Sequence, residues 1–383
     1  MCVRSNILIL VDEFHSAFGG TEQHILFLLD KLPCYGFRVH FGVLSRICHG
    51  DQSSFPIEPV FLRKGCRAGL VGSVQRLRRL ALFIKSNRID VVHAFSFVSE
   101  LSALLATRLA GRGRVLTVRR NTGYFHTRST LWRARLVRFL GADYVANCDA
   151  AKAFSVDKEW SPPHRVTVIR NSVRSDRLRE GLSNVAEAAS LGIQDGEQVV
   201  GIVATVRPIK DHATFIQAAR LVLKDHPKTR FLVVGWQEPD TFASLQSLVR
   251  SLGIEKHFSW TGGVSNPFSL LSHFDVGVLS SRSEGFSNAL LEYAAAGIAT
   301  VATDVGGTRE IVQENQTGLL VPPQSPELMA SKICKLLSDG KLRKVFGENA
   351  RQRVEACFSE EKILQQYSEL YRGLTHNLRM KNA

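Results

Sequence analysis

Glu284 and Glu292 stand either side of the run Gly285-Phe286-Ser287-Asn288, with seven residues between them. Ser287 or Asn288 is a good helix N-cap, the stretch 289–296 favours helix, and Gly297 suits the C′ position. The spacing therefore puts Glu284 in the loop ahead of a helix and Glu292 about one turn inside it. A helix start carries unpaired backbone N–H groups and a partial positive charge, which makes it an anion site. A small loop opened by glycine lets a phosphate approach it. Carboxylates are natural acceptors for sugar hydroxyls. The chemistry this suggests is a diphosphate at the helix end with a sugar on each side, which is a nucleotide-sugar. The plain alternative is a pair of surface glutamates near a helix start, where acidic residues are favoured anyway.

A departing diphosphate must be neutralised. The sequence has no Asp-x-Asp and no His, Cys or carboxylate set at metal-ligand spacing. Positive charge must then come from side chains and helix ends, with no metal or other cofactor, the nucleotide-sugar itself being a substrate. Arg207 and Lys210 in Thr205-Val206-Arg207-Pro208-Ile209-Lys210 are the candidates. A lone Arg or Lys commonly decorates a surface; a pair in a predicted βα loop beside a phosphate site points to function.

The elements that must hold these groups are readable from periodicity. The run 6–11 is continuously apolar, the mark of a strand buried on both faces of a parallel sheet. Gly19-Gly20-Thr21-Glu22 follows, then a helical pattern with Ile25, Leu28, Leu29 and Leu32 on one face. Further strands fall at 38–43, 90–94, 115–118, 144–147 and 166–169, with helices between them such as 70–86 and 98–109. Residues 172–197 carry no long apolar run and read as a connection. A second series of strands occupies 199–206, 231–234, 258–261, 276–279, 299–303 and 319–321, with helices at 213–223 and 239–252 among those between them. Alternating strands and helices imply right-handed crossovers and parallel sheets. Two doubly wound domains in tandem are expected, 1–178 and 190–358, with a last helix over 359–383. They would face a central cleft at the carboxyl ends of their strands, where ligands bind.

Composition agrees with an ordinary globular chain: 383 residues, 44% apolar and 22% charged. The net charge of +14 favours anionic partners, such as phosphorylated substrates or an acidic membrane face. No RNA- or DNA-binding signature is present, so no nucleic-acid partner is expected. The seven cysteines are scattered without a Cys-x-x-Cys pair and read as reduced thiols of a cytoplasmic protein. The run 6–11 is too short for a signal segment or a span and meets Asp12 and Glu13 at once, so neither secretion nor membrane spanning is expected.

The stretch SEGFSNALLEYAAAG with the following VGGTREIV resembles the retaining GT-B glycosyltransferases of glycosyltransferase family 4, and the likeness runs over most of the chain. The resemblance implies that Glu284 meets hydroxyls of the donor sugar, that Glu292 meets the ribose, and that N–H groups around Gly285, Phe286, Ser287 and Asn288 hold the diphosphate. It implies retention of the donor's anomeric configuration by front-face attack, and a last helix packed back on the N-terminal, acceptor domain. Lys210 matches the family's diphosphate lysine; the usual arginine position holds Thr205, so that role passes to Arg207. Gly19 and Gly20 match the family's N-terminal glycine loop near the donor phosphate and the acceptor. Where relatives carry a histidine facing the reacting sugar, this chain reads Arg119-Arg120. A guanidinium cannot act as a base, but it can clamp a phosphate or carboxylate, which hints at an anionic acceptor. His93 is a further acceptor-side candidate, although a histidine at a strand end is more often structural.

The stretch 129–140 is amphipathic, with Trp132, Leu136, Phe139 and Leu140 on one side, Arg135 and Arg138 opposite, and Arg133 beside the apolar arc. Most such helices bury the apolar face on a sheet; the competing reading is peripheral attachment to an anionic membrane face. Arg76, Arg78, Arg79, Lys85 and Arg88 add positive charge in the same domain. The function expected is sugar transfer to a glycan or lipid-linked acceptor, in cell-envelope or exopolysaccharide synthesis. Its rivals are a sugar-nucleotide epimerase of the same fold and a non-catalytic nucleotide-sugar-binding subunit.

Overall fold

The computed structural model of the chain describes residues 5–14, 19–48, 55–62, 69–124, 126–185, 188–264 and 266–382. The chain divides into two compact units, Met1–Arg170 with Glu361–Ala383, and Asn171–Glu360.

The first unit is built on one parallel sheet. Its strands are β1 (Asn6–Phe14), β2 (Arg38–Ile47), β3 (Pro59–Phe61), β4 (Val91–Ala94), β5 (Arg114–Arg119), β6 (Asp143–Ala146) and β7 (Val166–Val168), in the order β3-β2-β1-β4-β5-β6-β7. Helices α1 (Gly20–Lys31), α2 (Gly69–Ser86), α3 (Phe97–Ala110), α4 (Arg128–Val137) and α5 (Asp149–Asp157) alternate with them. Ile7 to Leu10 are fully buried, which is why β1 reads as an unbroken apolar run rather than an alternating one. β3 escapes sequence reading because it is three residues long and opens on a proline, tolerated here at the sheet's edge.

The second unit repeats the plan with β8 (Gln198–Val203), β9 (Thr229–Val234), β10 (Phe258–Gly262), β11 (Val276–Leu279), β12 (Thr300–Thr303) and β13 (Gly318–Val321), again parallel, in the order β10-β9-β8-β11-β12-β13. Its helices are α6 (Ser175–Ser183), α7 (His212–Asp225), α8 (Pro239–Ser251), α9 (Phe268–Leu271), α10 (Asn288–Ala295), α11 (Thr308–Ile311), α12 (Pro326–Ser338) and α13 (Gly340–Cys357). In such sheets the strand order reverses at one point, and the loops there open a crevice at the carboxyl ends. Here the reversals lie between β1 and β4 and between β8 and β11.

Helix α6 lies inside the stretch that reads as a connection. Its packing leaves no apolar run to detect: Gly181 sits so close to α9 that a Cβ on it would fall 2.3 Å from the Phe268 Cβ. Close approach through a missing side chain replaces a hydrophobic stripe. The last helix, α14 (Glu360–Asn382), buries Ile363, Leu364, Tyr367, Tyr371 and Leu374 in the core of the first unit. Each sheet, covered on both faces, thus forms one doubly wound Rossmann-like unit.

Candidate functional site

The loop and helix after β11 carry both glutamates singled out in the second unit. Ser287 caps α10, its Oγ accepting from the Leu290 N–H at 3.5 Å, and Asn288 is the first helical residue. At the far end Gly297 takes φ +73° and donates its N–H to Ala294 O at 3.0 Å, a left-handed closure. The helix therefore begins where an anion site was expected, with Glu284 before it and Glu292 one turn in.

The two carboxylates are held differently. Glu284 Oε1 accepts from Lys210 Nζ and from Ser281 Oγ, each at 2.6 Å. Lys210 ends a short turn after β8 and is fixed in turn by Ser280 Oγ, which donates to its carbonyl at 2.8 Å. Glu292 is half-buried, and its carboxylate takes no hydrogen bond from any described residue. Burial pushes it up to about 7, opposed by the positive charge of Arg177. Desolvation disfavours the ionised form unless something donates to it.

The loop between them is clamped on both sides. Gly306 adopts φ +54°, and a Cβ there would lie 1.9 Å from the Glu284 carbonyl oxygen; the neighbouring Gly307 N–H donates to Gly285 O at 2.8 Å. Only glycine fits such an approach in that conformation. On the other side Asn171 Nδ2 donates to Phe286 O at 3.2 Å and to Asn288 Oδ1 at 2.7 Å. Phe286 is buried edge-on against Phe358, with ring centres 5.4 Å apart. Asn171, Ser281 and Arg177 were not found from sequence: a single Asn, Ser or Arg outside a periodic element carries no pattern. Arg207 is exposed on the Lys210 loop, and Thr205 stands two residues before it, partly covered. Beneath Lys210, burial and the lysine's charge push His212 down to about 4, so it is neutral at pH 7.

In the first unit the candidates part company. Gly19 is the N-cap of α1 and Gly20 its first residue. The Glu22 carboxylate folds back over Gly19, where a Cβ would meet Glu22 Oε2 at 2.1 Å. Arg120 Nη2 donates to Gly20 O at 3.4 Å, so the guanidinium lies at the glycine loop. Arg119 is not available as a clamp. Its Nε donates to Glu159 Oε2 at 2.5 Å, its Nη2 to Glu100 Oε1 at 3.3 Å, and its guanidinium lies 4.9 Å from the Tyr144 ring centre. Burial works against the Arg119 charge, but the two carboxylates outweigh it and hold it firmly protonated. His93 is fully buried, its Nδ1 2.7 Å from the Tyr371 hydroxyl and its Nε2 without a partner among the described residues, and burial followed by the charge of Arg120 pushes it down to about 3. It is a structural histidine tying β4 to α14.

The amphipathic stretch also departs from expectation. α4 ends at Val137, followed by a tight turn over Arg138–Leu140. It buries Ala134 and Val137, while Trp132 and Phe139 are 63% and 70% exposed. The arginines do not face away from the aromatics: Arg135 lies 4.0 Å from the Trp160 ring centre and 5.3 Å from that of Trp132, and Arg138 lies 4.4 Å from that of Phe139. Cation–π attraction brings each arginine over a ring, which a helical wheel alone cannot show. The side chains of Arg133 and Leu136, and the cysteines Cys2 and Cys66, lie outside what is described. No described helix is long and apolar enough to cross a membrane.

Two doubly wound parallel units, with catalytic candidates on loops at the carboxyl ends of their strands, define a GT-B fold. Known proteins agree. The profile "Glycosyltransferase Family 4" matches residues 18–177 and "Glycosyl transferases group 1" matches 185–353. The N-acetyl-alpha-D-glucosaminyl L-malate synthase of Bacillus anthracis is 33% identical over 298 residues, 76% of this chain and 77% of that protein. The capsular polysaccharide biosynthesis glycosyltransferase CapM of Staphylococcus aureus is 24% identical over 241 residues, 62% of this chain and 63% of that one, so the chain spans somewhat under two thirds of CapM. Among solved structures, Anabaena HepE in complex with UDP and glucose superposes with TM-score 0.79 at 19% identity, over 95% of this chain and 98% of that one, a likeness of fold. The chain belongs to glycosyltransferase family 4 and is a GT-B glycosyltransferase.

Proposed function

We propose that the chain moves a hexose from a nucleotide-sugar to an anionic glycan or lipid-linked acceptor, retaining the anomeric configuration and using no metal. The observation that carries the reading is the contrast between the two glutamates. Glu284 is fixed by Lys210 and Ser281 at the mouth of α10. Glu292 takes no hydrogen bond from any described residue and is held near neutrality by burial. A ribose diol supplies two donors to such a carboxylate and favours its ionised form. The diphosphate then falls at the N-terminus of α10, within reach of the Arg207–Lys210 loop.

In this reading the bond from the anomeric carbon to the diphosphate breaks, and the departing phosphate oxygen takes the acceptor's proton as the acceptor oxygen bonds the same face. Arg207, Lys210 and the N–H groups of α10 offset the charge that grows on the leaving group. Glu284 orients the sugar through its hydroxyls. Arg120, beside Gly20, meets the negative charge of the acceptor. The name of the B. anthracis relative, which has L-malate in it, and that of CapM, a capsular polysaccharide enzyme, support an acidic acceptor and an envelope glycan respectively. The exposed Trp132, Phe139 and Trp160 with Arg135 and Arg138 would meet an anionic membrane from the cytoplasmic side.

The test is transfer itself. Incubation with UDP-, GDP- and ADP-hexoses and acidic acceptors should consume one donor only with acceptor present, should persist in excess EDTA, and should give a product of the donor's own anomeric configuration by NMR. Turnover of the donor without acceptor would favour an epimerase; activity lost to EDTA and restored by Mg²⁺ or Mn²⁺ would refute the metal-free diphosphate site.

A further inference from the structure

The loops at the carboxyl ends of β8, β9 and β10 are joined by their backbones. Ala204 N–H donates to Val234 O at 2.9 Å, Val206 N–H to Trp236 O at 2.7 Å, and Gly235 N–H to Gly262 O at 2.9 Å. Two glycines permit this closeness. Gly235 has φ +152°, and a Cβ on it would fall 2.1 Å from Ala204 O; a Cβ on Gly263 would fall 2.4 Å from Trp236 Nε1. The pyrrole edge of the indole therefore rests on the Gly263 backbone.

Trp236 nevertheless keeps 55% of its surface exposed. The unit's other tryptophan, Trp260, behaves as a packing residue, lying edge-on to Phe242 with ring centres 5.1 Å apart and stacked on Phe258 at 6.0 Å. Trp236 is instead a flat aromatic surface at the carboxyl edge of the sheet, hydrogen-bonded through its carbonyl to the very loop that carries Arg207 and Lys210. Adjacent strands lie about 4.8 Å apart. A ring over the ends of β9 and β10 is thus one to two strand spacings from the loop after β8 that carries Arg207 and Lys210, and two to three from the end of β11, which α10 follows, a span of the order that a ribose with its diphosphate covers.

We infer that Trp236 is the platform on which the donor's nucleobase stacks. The inference rests on the nucleotide-sugar reading and adds to it the residue that supplies affinity for the base. Every base has a π-face, so stacking is tolerant of base identity. Trp236 therefore strengthens binding of any nucleotide without choosing among them; the choice falls to hydrogen bonds made elsewhere.

Titrating UDP, GDP and inorganic pyrophosphate into wild type, Trp236→Ala and Trp236→Phe by calorimetry tests this. Trp236→Ala should weaken UDP and GDP by a common factor of about 5- to 150-fold, the usual worth of one base–aromatic stack. Trp236→Phe should restore most of that, and pyrophosphate, which has no base, should bind all three proteins alike. Bound nucleotide should also quench wild-type tryptophan fluorescence and leave that of Trp236→Phe nearly unchanged. Equal nucleotide affinity in wild type and both variants overturns the platform while leaving the donor site intact; loss of pyrophosphate together with UDP shows that the loop has merely collapsed, and also overturns it. Failure of the wild type to bind any nucleotide overturns the donor reading and the platform with it.

Discussion

Arg119 at the end of β5 and Glu292 in α10 are both charged groups removed from water, and the protein treats them in opposite ways. Arg119 meets two carboxylates and an aromatic ring, so its charge is fully satisfied by its own unit. Glu292 feels the charge of Arg177, takes no hydrogen bond from any described residue, and is driven by burial toward its neutral form. A buried charge with every partner in place is architecture; a carboxylate left short of donors is, in the proposed reading, an acceptor held ready for a ligand at a cost to the fold. The same test separates Arg119 from Arg120, which read alike in sequence.

The largest effect should come from breaking the satisfied site. Arg119→Met strands Glu100 and Glu159 without their cation, which for a buried pair costs about 3–5 kcal/mol. Chemical denaturation should show a loss of that order, whereas Arg120→Met should leave stability nearly unchanged and raise KM for the acceptor. An Arg119→Met protein of native stability would show that the triad is not the device described.

Lys210→Ala addresses the other side. In the proposed reading Lys210 opposes charge that appears as the diphosphate leaves, so its removal should lower kcat by about 10²–10³, as does loss of one preorganised donor to a developing anion. Donor affinity should fall by less. Arg207→Ala should behave alike and Thr205→Ala much more mildly; the reverse ranking would move the diphosphate cation from 207 to 205.

A smaller effect sharpens the comparison through pH. The folded state holds the Glu292 proton up to about 7, against an ordinary value of 4.5, so the native protein binds more protons than the unfolded chain between those values. Stability contributed by this group is therefore present at low pH and lost as pH rises through 7. Glu292→Gln, which cannot ionise, should match wild type near pH 4 and melt higher at pH 8, each kcal/mol moving Tm by about 2–4 °C in a unit of this size. A variant less stable than wild type at pH 8 would mean that the carboxylate is paired after all.

The weakest effect expected is at the surface. Co-sedimentation with acidic vesicles should fall with rising salt, because exposed charges are screened over about 8–10 Å. Arg135→Ser with Arg138→Ser should reduce it without altering donor binding. Absence of vesicle binding at low salt would leave Trp132, Phe139 and Trp160 without a membrane role.

The fold was legible because parallel strands buried on both faces advertise themselves: β1 at Ile7–Leu10 and β11 at Val276–Leu279 are apolar runs that only a covered sheet requires. The local frame of the donor candidates is legible too, since a cap at Ser287 and a closing Gly297 bound a helix with Glu284 before it and Glu292 inside it. What stayed hidden depends on long-range pairing. Nothing adjacent to Arg119 in the chain announces Glu100 and Glu159, so Arg119 and Arg120 read alike until the fold separates them. The hydrogen bond of His93 is hidden for the same reason, its partner Tyr371 lying 278 residues away. The amphipathic stretch was misjudged because a wheel of side chains ignores where an arginine's long arm can bend.

The central claim is that Glu292 is the ribose acceptor of a nucleotide-sugar site at the start of α10, and calorimetric titration of the preferred nucleotide-sugar into wild type and Glu292→Gln tests it most directly. Removing a charge-assisted hydrogen bond costs about 1.5–3 kcal/mol, so affinity should fall roughly 10- to 150-fold. Wild-type affinity should also tighten as pH rises through about 7, where burial places the Glu292 titration, and the Gln variant should lose that dependence. Equal affinity in the two proteins, with the same pH profile, would contradict the account.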